Sequence, residues 1–149
     1  MTHEYYMMQA LKEARQAYEE DEIPIGAVVV LHEKVIARGR NMTEKLNDPT
    51  AHAEMIAIRQ ATRLLGNERL IDCDLYVTLE PCTMCAAAIS LARIRRLYYG
   101  AADPKAGAVE HGVQFFSEPG CLHRPEIYGG IGEREAATLL QSFFRARRP

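Results

Sequence analysis

The order of apolar segments predicts an α/β protein, a sheet covered by helices on both faces. Two observations carry this. Segments rich in β-branched residues alternate with segments of helical period along the chain. The first strand segment, Gly26 to His32, is apolar without alternation, as in a strand buried from both sides. No Gly-x-Gly-x-x-Gly or Walker-type loop occurs, so the dinucleotide and nucleoside triphosphate folds have no support.

Residues 5–19 place Tyr6, Ala10, Ala14 and Ala17 on one face beside Met7, Leu11 and Tyr18, an amphipathic first helix. The acidic run Glu19-Glu20-Asp21-Glu22 ends it and is expected to be a solvated turn. Ile23-Pro24 forces an extended lead-in. Gly26 to His32 and Val35 to Arg40 form a hairpin through Glu33-Lys34, without Asn-Gly turn chemistry. A polar loop runs to Thr50, the expected N-cap of a helix from Ala51 to about Leu65 with Met55, Ile58, Ala61 and Leu65 inward. Gly66-Asn67 stops that helix. Leu75 to Leu79 is a strand and Pro81 to Ala92 a helix whose small Ala86, Ala87 and Ala88 allow close approach. Leu97 to Gly100 is the next strand. Residues 101–128 read mostly as loop, with short elements at Val113 to Phe116 and Glu126 to Tyr128. A final helix covers Ile131 to Arg147, with Ala136, Leu139, Leu140 and Phe143 on its apolar side.

A length of 149 residues suits one domain. The net charge of -2 and pI near 6.2 give no bulk signal of nucleic-acid binding, so any such surface must come from local charge. No segment has the length and apolarity of a membrane helix. Met1 to Ala10 is polar and aromatic rather than an export signal, which makes the cytoplasm the expected location. Disulfides are then not expected. Cys73 reads as a small buried apolar residue and Cys121 as a loop thiol.

Two stretches carry chemistry: Pro49-Thr50-Ala51-His52-Ala53-Glu54, and Thr78-Leu79-Glu80-Pro81-Cys82-Thr83-Met84-Cys85. His52, Cys82 and Cys85 make three ligands, the number a catalytic zinc takes while keeping a fourth position for water. At a helix start the i, i+3 spacing of the cysteines puts both sulfurs on one side, where the helix terminus favours thiolate. His52 also falls at a helix start. Glu54, two residues on, points elsewhere and suits proton transfer rather than ligation. A redox Cys-x-x-Cys and a structural zinc closed by His32, His111, His123 or Cys121 are the competing readings.

His-x-Glu followed by Pro-Cys-x-x-Cys resembles the signature of zinc-dependent nucleobase deaminases. With Pro24-Ile25-Gly26-Ala27-Val28, Asn41, Asp103-Pro104-Lys105-Ala106-Gly107 and Phe143-Phe144-Arg145, nearly the whole chain resembles the bacterial tRNA-specific adenosine deaminases of the TadA type, in the cytidine deaminase-like superfamily. The resemblance implies a three-layer α/β/α cytidine deaminase-like fold around a mixed five-stranded sheet. It implies one zinc-dependent deaminase domain of the CMP/dCMP type over 1–149, one Zn2+ per subunit, and a homodimer. The implied reaction is hydrolytic: a metal-activated water attacks C6 of the wobble adenosine of a tRNA anticodon, typically that of arginine tRNA, and gives inosine. Glu54 shuttles the proton. The implied substrate contacts are Asn41, the backbone of Ala53, Asp103, Lys105, His123, Phe144 and Arg145, with Arg147 and Arg148 beyond them. In physical terms the tail is an aromatic pair with a basic cluster, suited to stacking and phosphate contacts. Phe143 reads equally as core, and the arginines as a favourable helix C-terminus. The chain departs from the family pattern at Arg40, where an aromatic residue is common, in residues 108–116, and at Cys121-Leu122-His123. The alternative function is deamination of a free nucleobase or nucleoside: cytosine, cytidine or guanine.

Overall fold

The computed structural model describes residues 2–147; Arg148 of the basic tail lies outside them. The elements are α1 (His3–Glu19), β1 (Gly26–Leu31), β2 (Lys34–Arg40), α2 (Ala53–Leu65), β3 (Cys73–Leu79), α3 (Thr83–Leu91), β4 (Arg96–Ala101), a 3-10 turn (Phe115–Ser117), β5 (Glu126–Gly129) and α4 (Glu133–Ala146). The five strands form one mixed sheet in the order β2-β1-β3-β4-β5. β1 is antiparallel to both its neighbours, while β3, β4 and β5 run parallel.

Alternation along β1 assigns the two faces. Ala27 and Val29 pack with Ala53, Ala57 and Ala61 of α2 and with Ala86 and Ile89 of α3. Val28 and Val30 pack with Tyr6, Met7, Ala10 and Leu11 of α1, and α4 adds Ala136. Both faces are thus covered, which explains the unbroken apolar run in β1. Tyr76, Tyr98 and Tyr128 stand in register on β3, β4 and β5 and stack with ring centroids 4.3 and 5.0 Å apart. Helix α2 approaches β2 so closely that a Cβ on Gly39 would lie 2.3 Å from the Ala53 carbonyl. That contact fixes the start of α2, where His52 and Glu54 sit.

Several local expectations are corrected. The hairpin turns at His32-Glu33, not Glu33-Lys34; both residues have positive φ (48° and 64°), the type I′ geometry that matches strand twist even without glycine. Thr50 does not cap α2. Its N–H and hydroxyl both donate to Asp48, and His52 takes the N-cap position. The inward face of α2 is Ala53, Ala57, Ile58 and Ala61, with Met55 and Leu65 outside it. Helix α3 starts at Thr83, with Cys82 as N-cap, so Pro81 precedes the helix. Gly66 does close α2, in the left-handed conformation.

The acidic run is not simply solvated. Glu22 is buried and accepts the N–H groups of Glu44 (3.2 Å) and Lys45 (2.7 Å), holding the loop that leads to His52. Glu20 takes a two-pronged pair from Arg40, at 2.9 and 3.0 Å. This ties down the arginine that stands where the family commonly has an aromatic residue. Chiefly through that contact, the Glu20 carboxyl falls from its ordinary 4.5 to about 2. The pair therefore stabilises the fold above pH 4.5, and its contribution is lost as pH falls through about 2. Glu20→Gln should lower the Tm at pH 7, and a thermal series taken down in pH should show the deficit shrinking. A deficit constant with pH would mean that the carboxylate charge is not its source.

Candidate metal centre and active site

Parallel strands point their carboxyl ends towards one side of the sheet, where ligands of open α/β folds bind. β3 leaves there through Leu79-Glu80-Pro81 to Cys82, and β4 through Ala101-Ala102 to Asp103. Helix α2 starts at the same place, and the three segments enclose a cavity of about 530 Å³. Its wall includes His52, Glu54, Leu79, Glu80, Cys82, Ala102, Asp103, Lys105 and Ala106, closed by Ile23, Ile25, Leu140 and Phe144. A larger, shallower concavity of about 1140 Å³, lined by Arg15 of α1 and Gly130 to Ser142 around α4, gathers no set of metal ligands.

His52 and Cys82 are the N-caps of α2 and α3, and neither side chain bonds to its own helix. Both are thereby free to face each other across two helix starts. Cys85 joins them from the first turn of α3. The His52 Nδ1 atom lies 3.6 Å from Cys82 Sγ and 3.5 Å from Cys85 Sγ. A tetrahedral zinc with ordinary Zn–N and Zn–S bonds places its N and S ligands about 3.6 Å apart. The spacing is that of co-ligands. Among the described residues, His52, Cys82 and Cys85 are the group whose ligand atoms converge, and no fourth protein ligand joins them. Three protein ligands without a fourth fit a catalytic zinc rather than a structural one. All four cysteines are free, so Cys82 and Cys85 are not a disulfide.

Electrostatics agree with this assignment. The Cys85 thiol donates towards Cys82, and with the His52 ring beside it this holds Cys82 down to about 4 against its burial. The same contact, with burial, pushes Cys85 up. With a divalent cation bound, Cys82 and Cys85 would both serve as thiolates, the shared proton being lost. Glu54 is 4% exposed, and burial raises its carboxyl to about 7. Such a group exchanges a proton readily near neutral pH.

The structure distributes the other predicted residues unevenly. Asp103, Lys105 and Phe144 line the cavity. The Asp103 carboxylate also accepts the N–H groups of Lys105 and Ala106, shaping its own turn. Arg145 shares an adjoining groove with Phe144. Ala53 is buried in the first turn of α2, and Asn41 is buried at the end of β2, its N–H donating to Ile25. His123 stands apart from this cavity, its Nε2 2.7 Å from the Ile94 carbonyl and its N–H donating to Ser90. Phe143 is core, against Tyr18, and Arg147 lies over its ring at 3.5 Å while donating to its carbonyl. Sequence reasoning missed Ile23, Leu79, Ala102 and Leu140, whose apolar character carries no marker of a site. Glu80, inside the second motif stretch, carries no local marker of a role either.

A helix-covered mixed sheet with one histidine and two cysteines gathered at its strand ends, and a buried glutamate beside them, defines a zinc-dependent hydrolase of the cytidine deaminase class. Residues 1–101 match the family model described as the cytidine and deoxycytidylate deaminase zinc-binding region. The chain belongs to the bacterial tRNA-specific adenosine deaminases of that superfamily: it is 64% identical over 144 residues to the Agrobacterium fabrum protein of that name, covering 97% of this chain and 95% of that one. A solved structure from studies of A-to-I editing by tRNA:A34 deaminases superposes with a TM-score of 0.90 at 65% identity, over 91% of this chain and 99% of that one. A Bacillus subtilis guanine deaminase structure is more distant, with a TM-score of 0.68 at 33% identity over 100% and 98% of the two chains.

Proposed function

We infer that the chain, as one deaminase domain over residues 1–149, converts the wobble adenosine of a tRNA anticodon to inosine. The observation that carries the chemistry is one cavity wall holding Glu54 together with the ligand residues His52 and Cys82. The substrate assignment follows from similarity along nearly the full chain to the tRNA-specific enzymes. Arginine tRNA is the expected substrate on the family pattern.

Zinc, when bound, supplies Lewis acidity that makes a water nucleophilic at neutral pH. The chain does the rest. Water adds across C6 and N1 of the adenine, the C6–N6 bond breaks, and ammonia leaves. Glu54 accepts the proton from the attacking oxygen, delivers it to N1, and assists protonation of the departing amino nitrogen. Its burial suits it to both directions of transfer. Leu79, Ile25 and Leu140 exclude bulk water from the base. Asn41, the Ala53 backbone and Asp103 orient the base. Lys105 and Arg145 meet phosphates, and Phe144, 49% exposed, offers a face for a flanking base. An anticodon loop presents unpaired bases, so little energy is spent in extruding the target.

The assembly read from the family is a homodimer. Leu91 and Leu122, 72% and 81% exposed on neighbouring segments joined by the Ser90–Cys121 contact, supply apolar surface for it. The cytoplasm, where tRNA is processed, is the proposed location; no helix among the described residues is long and apolar enough to cross a membrane. Incubation with anticodon stem-loop RNA beside free adenosine, cytidine and guanine should give inosine at the wobble position and leave the free compounds unchanged. Deamination of the free compounds alone would establish the alternative.

A further inference from the structure

Glu80 lies two residues before Cys82 and takes no part in the proton transfers above. Its side chain is wholly buried. One carboxylate oxygen accepts the Asp103 N–H at 3.0 Å and lies 2.7 Å from His111 Nδ1. The other accepts the N–H groups of Val109 and Glu110, each at 3.0 Å, and of His111 at 3.2 Å. A Cβ on Gly107 would come within 2.5 Å of the carboxyl carbon, so the loop wraps the group at a distance only glycine permits. Residues 103–111 are in this way closed around a single carboxylate. The same loop presents Asp103, Lys105 and Ala106 to the cavity.

We propose that Glu80 is a positioning residue for the substrate, acting through the 103–111 loop to hold Asp103 and Lys105 against the cavity that receives the base. This rests on the reading that the cavity binds the target nucleotide. The chemistry selects a carboxylate. Every contacting group that is fixed is an N–H donor, and a glutamine would turn its own NH2 against either the Asp103 side or the three amides beyond it. Aspartate is one methylene too short to reach the loop from this position just after the end of β3. A shift of about 1 Å in a substrate-positioning group costs on the order of 10²-fold in rate.

The test is a cycle in the full chain combining Glu80→Gln with the pair Asp103→Ala/Lys105→Ala, followed by zinc content, amide exchange and stem-loop kinetics. Glu80→Gln is expected to retain its zinc, exchange faster at the amides of 103 and 109–111, and lose about 10- to 10²-fold in kcat/KM. In the Asp103→Ala/Lys105→Ala background it should lose little more, because its effect runs through those side chains. Full additivity, unchanged kinetics, or a loss that tracks zinc content would each overturn the proposal. If Glu80→Gln does not fold, His111→Ala, which removes one of the five donors, decides by the same cycle with a severalfold loss expected. If the wild-type chain deaminates a free nucleoside and not the stem-loop, the RNA reading fails, and the cycle is then read on that nucleoside.

Discussion

Glu54→Ala is expected to keep its zinc and lose at least ~10²–10⁴-fold in turnover of the wobble adenosine. The two halves of that result come from different features. Zinc is retained because the converging ligand atoms belong to His52, Cys82 and Cys85, with Glu54 outside the group. Turnover is lost because Glu54 is the buried acid on the cavity wall whose burial has already brought its carboxyl to about 7. Glu54→Gln keeps the volume and removes the proton-accepting oxygen, so it should be nearly as inactive. Zinc analysis of the purified variants beside inosine formation on RNA separates the effects. Near-normal turnover by a zinc-replete Glu54→Ala would remove the residue from the mechanism.

Cys85→Ala is expected to bring zinc to background and activity with it. Cys85 is wholly buried in the first turn of α3, and the substitution leaves only His52 and Cys82 as protein ligands. A zinc site needs at least three to hold a catalytic ion firmly. A ligand that binds only the folded state stabilises it by mass action, so chelator should lower the Tm of the wild type. The same chelator should leave the Tm of Cys85→Ala unchanged, because there is no bound ion to remove. An equal chelator shift in both proteins would show that the stabilising ion sits elsewhere.

The parts of this molecule that were legible in the sequence are those set by local pattern. Continuous apolarity in Gly26 to Leu31 foretold cover on both faces, and the strand-helix alternation foretold the layers. His-x-Glu and Cys-x-x-Cys were legible because ligand type and spacing restrict chemistry more than propensity restricts structure. What stayed hidden depends on contacts between distant segments. Glu22 looks like one of four solvated acids until the loop at Glu44 and Lys45 folds over it. Glu80 has donors 23 to 31 residues ahead of it, and no local period announces them. The two helix starts were each misplaced by two residues because Thr50 and Pro81 are strong start signals. In the fold, the ligands His52 and Cys82 occupy the cap positions themselves. Arg40 illustrates the same limit. It reads only as a departure from a common aromatic residue, and its partners prove to be Glu20 and Glu13.

The substrate is the point at which chemistry alone stops, since cytidine, guanine and adenosine deaminases can share this donor set. The most direct measurement is mass-spectrometric detection of inosine in an anticodon stem-loop treated with the purified chain before chelation, after chelation, and after zinc is restored. Inosine at the wobble position that disappears with chelator and returns with zinc is the expected result. Conversion that persists without metal, or none by the zinc-replete chain, would contradict zinc-dependent wobble deamination by His52, Glu54, Cys82 and Cys85.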